Sequence, residues 1–286
     1  MKKSYEIDMC NGPLLGKILV FSIPLMLSGI LQLLFNAADI IVVGRFAGST
    51  ALAAVGSTAS LINLMINVFV GLSVGVNVLA ARYYGAQKEK DIQDTVHTAI
   101  MMAILSGLFL VVLGESASKP MLTLMGTPDD VLDQAALYLR IYFFGMPVLM
   151  IYNFGAALLR AVGDTRRPLY FLFAAGAVNV VLNLFFVIQL GMGVDGVAWA
   201  TVISECVSAG LIIRSLMKEN GAMKLHLTKL RIVSGKLTQI VRVGLPAGMQ
   251  GAIFSISNVL IQSSVNSFGS IAMAGYTAAN NIFGFL

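Results

Sequence analysis

Two acids, Asp39 and Glu205, lie inside long apolar stretches of this sequence, and neutral oxygen donors accompany them. Asn179 and Asn183 stand four residues apart in a further apolar stretch, and Thr201 precedes Glu205 by the same interval. Gln32, Asn36 and Asp39 recur at i, i+4 and i+7. On a helix such spacings share one face. A carboxylate, two amide oxygens and a hydroxyl make an all-oxygen set. That set suits a hard cation, and a buried carboxyl also suits a proton. Ionisable groups in lipid are costly and mark ion pathways. Asp39 has no basic partner near it in its own stretch, where Lys17 stands at the opposite end. For the asparagines and the threonine, the competing role is a hydrogen bond between helices, worth about 0.6 kcal/mol on average. Asn63 and Asn67 fit that packing role better, and Gly71-x-x-x-Gly75 suits a close helix contact.

The elements that must carry these residues are membrane helices. Of the 286 residues 57% are apolar and 12% charged, about half the roughly 25% charge of a soluble domain. A mean hydropathy of +0.85 excludes a soluble globular protein. The net charge of +5 therefore has no polar surface on which to build a nucleic-acid patch. Runs of about 20 apolar residues predict helical spans over roughly 14–43, 51–81, 92–114, 131–159, 168–190, 194–217 and 237–267, with an eighth begun near 272. Cys10 and Cys206 form no disulfide or metal pattern. The first apolar stretch is far longer than a cleavable signal core.

Lys and Arg accumulate on cytoplasmic loops. With these spans sixteen fall on one side, from Lys2 and Lys3 to Arg242. Arg45 and Lys119 fall on the other side, with Arg140 just inside the fourth span. The N-terminus is expected in the cytoplasm, in a bacterial-type inner membrane. Counting from the external ends at 1.5 Å per residue, Asp39, Asn183 and Thr201 lie about 9–12 Å deep, and Asn179 and Glu205 roughly 15–18 Å.

The seventh span echoes the first. Pro24 matches Pro246, and Asn36 matches Asn258, both at an offset of 222, while Gly48-Ser49 matches Gly269-Ser270 at 221. Each proline would kink its helix alike. Six spans separate the copies, so both enter from the same face, as in parallel transporter repeats. The expected organisation is an all-α membrane protein. Residues 1–230 form a six-span lobe with a cytoplasmic linker, and 231–286 begin a second lobe cut short at Leu286. Ile261 stands where the repeat would place Asp39, so the acid is not duplicated.

Two enzyme-like patterns fail on context. Gly191-Met-Gly193-Val-Asp-Gly196 fits GxGxxG but lacks a βαβ unit, and reads as an interhelical turn. Gly71-Leu-Ser73-Val-Gly75 fits the nucleophile elbow but lies mid-span, away from His97 and His226. No GxxxxGK[ST] occurs, which argues against an ATP-driven pump. No catalytic constellation is expected.

Pro24…Asn36-Ala-Ala-Asp39, Ala81-Arg82-Tyr-Tyr-Gly85-Ala86, Leu159-Arg160-Ala-Val-Gly163-Asp164-Thr165-Arg-Arg-Pro168, Asn179-Val-Val-Leu-Asn183 and Gly193-Val-Asp-Gly196-Val-Ala-Trp-Ala-Thr201 together resemble the multidrug and toxic compound extrusion (MATE) family. The resemblance implies a twelve-helix, two-lobe efflux transporter exchanging inward Na⁺ or H⁺ for outward drugs. It also implies a cation site at Asp39, Asn179, Asn183 and Thr201, with Glu205 a second acid where many members carry Gln. No cofactor is expected beyond the coupling ion, and no metal beyond a transported Na⁺. The expected partners are lipophilic drug cations, lipids and the second lobe, with no nucleic acid. The 15 Met and 16 Phe offer adaptable surface, with Met65, Phe69 and Tyr152 as cavity candidates. A flippase for lipid-linked sugars would need several intramembrane cations, and only Arg140 qualifies. A non-transporting scaffold is the remaining rival.

Overall fold

The computed structural model describes Ile7, Gly12 and residues 14–284; Lys2, Lys3, Cys10 and Leu286 lie outside them. Helix α1 (Leu14–Val42) runs on through a π-helical turn, Val43–Ala47, to the corner at Gly48. Then come α2 (Ser49–Gly85), α3 (Glu89–Leu124), α4 (Asp129–Phe144) and α5 (Met146–Ala161). Next are α6 (Arg166–Leu184), extended by a π turn to Gln189, and α7 (Val194–Lys218). Two 3₁₀ turns, Gly221–Met223 and Leu227–Lys229, lead to α8 (Ser234–Asn266) and α9 (Ser270–Phe283). Among the described residues six helices are long and apolar enough to cross a bilayer, and α4 with α5 make a seventh, bent span.

Local chemistry explains the ends. Glu89 and Asp91 occupy the first turn of α3, and Asp129 and Asp130 that of α4, where carboxylates offset the helix dipole. Asp164, fully buried, accepts the backbone N–H groups of Arg166 and Arg167 at 3.1 Å each and so starts α6. Its other oxygen pairs with the Arg167 guanidinium, which also reaches Glu219 and ties α6 to the end of α7.

Three expectations about spans change. The fourth, read as one helix over 131–159, is two helices bent by 50° around Gly145. Pro147 has no N–H for the carbonyl four residues back, so the ladder breaks there. Gly107 of α3 lets the break approach: a Cβ on it would lie 2.3 Å from the Pro147 Cα. The third span runs ten residues past 114: Ser118 and Leu122 are buried there, and Glu115 and Lys119 meet Arg140 and Asp133 on α4 at 3.8 and 2.9 Å. The polar break at 44–48 shrinks to Gly48, since the π turn keeps Arg45 helical.

The internal repeat is visible in the backbone. Gly48 has φ 92° and ψ 174°, and Gly269 has φ 86° and ψ 175°, so both corners turn identically into the following helix. Such positive φ is nearly restricted to glycine. Pro24 and Pro246 both sit inside their helices. Helix α8 lies along α2 at backbone contact: a Cβ on Gly71 would come 2.2 Å from the Gly248 Cα, and one on Gly75 2.3 Å from the Ile240 carbonyl. Small residues permit that approach in a membrane. Asn67 reinforces it, donating to the Ser255 hydroxyl at 2.7 Å, the packing role its sequence position suggested.

Candidate functional site

Phe35 sets the register between α1 and α6. Its ring fills the space that a side chain at Gly176 would occupy, with a Cβ there only 1.9 Å from the ring. One turn on from Phe35 is Asp39, and one and two turns on from Gly176 are Asn179 and Asn183. This seating brings the acid to the asparagines. The Asn183 amide donates to the Asp39 carboxylate and to Asn179 Oδ1, the latter at 3.2 Å. Asn179 in turn donates to Thr201 Oγ1 of α7 at 3.4 Å. Thr201 anchors itself on the Val197 carbonyl of its own helix at 3.0 Å.

Asn183 is fully buried and Asn179 nearly so, while Asp39 and Thr201 are half-buried. With its amide N–H groups committed, the buried Asn183 Oδ1 has no hydrogen-bond partner among the described residues. An unsatisfied buried acceptor costs about 1–3 kcal/mol. Reversing the amide would turn that oxygen onto the Asp39 carboxylate, which is worse. A carboxylate and an orphaned amide oxygen are the donors a small cation needs. Among the described residues no cluster of three His, Cys, Asp or Glu could hold a metal ion, so neutral oxygens must complete any coordination.

The other sequence candidates divide. Gln32 and Asn36 are exposed, and Asn36 turns to Asn281 of α9 at 3.4 Å rather than to the Asp39 group. Pro24 is buried in α1, fifteen residues before Asp39. Glu205 lies one turn beyond Thr201, against the α4–α5 break, where a Cβ on Gly145 would be 3.4 Å from its Oε2. The Tyr138 and Tyr142 rings of α4 are stacked 6.0 Å apart, on the helix that leads into that break. Sequence reasoning passed over both tyrosines; their i, i+4 spacing in α4 was the available signal. It also passed over Phe35 and Gly176, although Gly176 stands three residues before Asn179, on its face. Arg140 is exposed and pairs with Glu115. The GxGxxG segment is the turn into α7, with Gly191 at φ 63° and the Gly193 N–H on Asp195 at 3.0 Å. Ser73 donates to the Val70 carbonyl of its own helix.

The MatE family model matches residues 24–185, more than half of the chain. The chain belongs to the MatE family. This MatE chain is a multi-pass membrane protein. It is 33% identical over 272 residues to the probable multidrug resistance protein YoeA of Bacillus subtilis (strain 168), covering 92% of this chain and 58% of that protein. The probable multidrug resistance protein YpnP of the same organism is 26% identical, over 96% of this chain and 61% of its own length. Among solved structures, the inward-facing conformation of a multidrug resistance MATE family transporter of the MOP superfamily superposes at a TM-score of 0.81 with 28% identity. That match covers 88% of this chain and 57% of the other. The chain thus spans about three-fifths of the length of these relatives, which are transport and resistance proteins rather than enzymes.

Proposed function

We propose that this chain is the larger part of a cation-coupled antiporter that exports lipophilic organic cations, with Na⁺ or H⁺ as the driving ion. Asp39, Asn179, Asn183 and Thr201 form its cation site. The observation that carries the reading is the fully buried, unpartnered Asn183 Oδ1 beside the Asp39 carboxylate. The YoeA and YpnP names and the transporter superposition support multidrug efflux. The proposed organisation keeps residues 1–230 as the first lobe, 231–286 as the start of a second lobe, and the N-terminus in the cytoplasm of a bacterial inner membrane. Sixteen cations on one side support that orientation.

A cation arriving between Asp39 and Asn183 Oδ1 neutralises the acid and satisfies the orphaned oxygen. The Asn183–Asp39 hydrogen bond then no longer holds α1 to α6 alone. Helix α1 can shift, because Pro24 and the π turn at 43–47 interrupt its ladder on either side of Asp39. That shift narrows the space beside α1 and displaces a bound drug outward. The membrane potential supplies about 2.3 kcal/mol per charge per 100 mV, enough when the ion binds the two states unequally. Asp39→Asn in the full-length protein, reconstituted in liposomes, tests this. Drug efflux driven by a Na⁺ or pH gradient should be abolished, whereas unchanged gradient-driven efflux removes Asp39 from the mechanism.

A further inference from the structure

A basin of about 810 Å³ lies between the last turns of α2 and the first turns of α8, on the side that carries most of the Lys and Arg. Its rim holds three cations, Arg82, Lys88 and Arg242, and among the described residues its lining includes no carboxylate. The contrast with the adjoining surface is sharp. Arg231 is paired with Asp94 and Lys236 with Asp91, each at 2.6 Å. None of the three rim cations has an ion-pair partner among the described residues. Three like charges facing one space repel one another unless an anion sits between them.

The floor differs from the rim. Val78 and Val243, 46% and 40% exposed, form an apolar strip leading from the cations towards mid-membrane. Tyr83 and Gln239 bridge the two helices by a hydrogen bond of 2.8 Å. Cations at the helix ends above an apolar strip match a phosphate with an acyl chain below it. Guanidinium forks are suited to phosphate oxygens, and the cytoplasmic leaflet is the anionic one.

We propose that this basin binds the anionic headgroup of a phospholipid, held by Arg82 and Lys88 from the first lobe and Arg242 from α8. The lipid would bridge the two helices at the end where they already touch, and so favour their packed arrangement. The inference uses the orientation proposed above to choose the leaflet but does not depend on efflux.

The test uses the purified full chain in neutral detergent. Retention of short-chain phosphatidylglycerol and phosphatidylcholine is read by native mass spectrometry, with inorganic phosphate as competitor. Phosphatidylglycerol should be retained preferentially. Each of Arg82→Gln and Arg242→Gln should weaken it about fivefold, the effect of one basic residue near a charged headgroup. Both arginines are exposed, so helix packing should survive, and Lys88→Gln repeats the test from the turn between α2 and α3. Equal weakening by Lys224→Gln or Lys229→Gln, outside the basin, would reduce the effect to diffuse charge and overturn the site. Displacement by inorganic phosphate at matched concentration would mark a small-anion site and overturn the lipid.

Discussion

The contact between α2 and α8 makes a demanding prediction. A Cβ added at Gly71 would lie 2.2 Å from the Gly248 Cα and from its backbone nitrogen, against the 3.4 Å at which ordinary contact begins. The obstacle is backbone, so no rotamer relieves it. Gly71→Ala must therefore drive the helices apart by about 1.2 Å near that point or bend one of them. Overpacking of this kind costs about 1–3 kcal/mol. Gly210→Ala is the control: nothing lies within 4 Å of its added Cβ, and alanine in a helix is favoured by up to about 1 kcal/mol. The assay pairs Asn67→Cys with Ser255→Cys, whose native side chains are 2.7 Å apart, in a background lacking the other thiols. Oxidative cross-linking should be fast in that background, fall sharply with Gly71→Ala and stay unchanged with Gly210→Ala. The unfolding temperature should fall only for Gly71→Ala. If Gly71→Ala leaves both cross-linking and unfolding unaltered, the backbone contact does not set the interhelical distance.

Other consequences follow from the ends of the helices. Asp164→Ala removes two backbone caps and one of the two carboxylates that face Arg167, leaving Glu219 and the Ser215 hydroxyl on the guanidinium; a loss of about 3 kcal/mol is expected in denaturant unfolding, and a loss within error would refute the buried-anchor role. The linker docks where the His226 backbone N–H donates to the His97 ring at 3.2 Å, with the two rings stacked 6.3 Å apart. Partial burial, then Lys229 and Lys224, push the His226 imidazole below the usual histidine range. The docked state thus binds fewer protons than the undocked one, so its stability is full above the free histidine value of about 6.5 and is lost as pH falls below it. Amide exchange over 221–230, corrected for intrinsic rates, should increase between about pH 7.5 and about pH 5.5. Protection that is constant across that range would exclude His226 as the cause.

Much of this protein was determined by sequence alone, for physical reasons that act locally. A bilayer demands long apolar runs, so seven spans and a begun eighth could be placed from composition. The acid and its neutral oxygens could be named, because polar groups are rare in such runs. The repeat showed in Pro24 and Pro246, and Gly71 and Gly75 announced a close neighbour. Only tertiary structure decided which neighbour that was, because the helix that fills the gap starts more than 150 residues later. It also decided that Asn36 leaves the Asp39 face for Asn281 although their spacing allowed both to share it, since helix rotation is set by Phe35 entering the space at Gly176. The bend at Gly145 was hidden because proline alone does not separate a kink from a break; α3 pressing through Gly107 does. The unpaired oxygen at Asn183 was beyond any one-dimensional reading. Whether an amide is satisfied depends on every partner around it, and three helices supply those partners here.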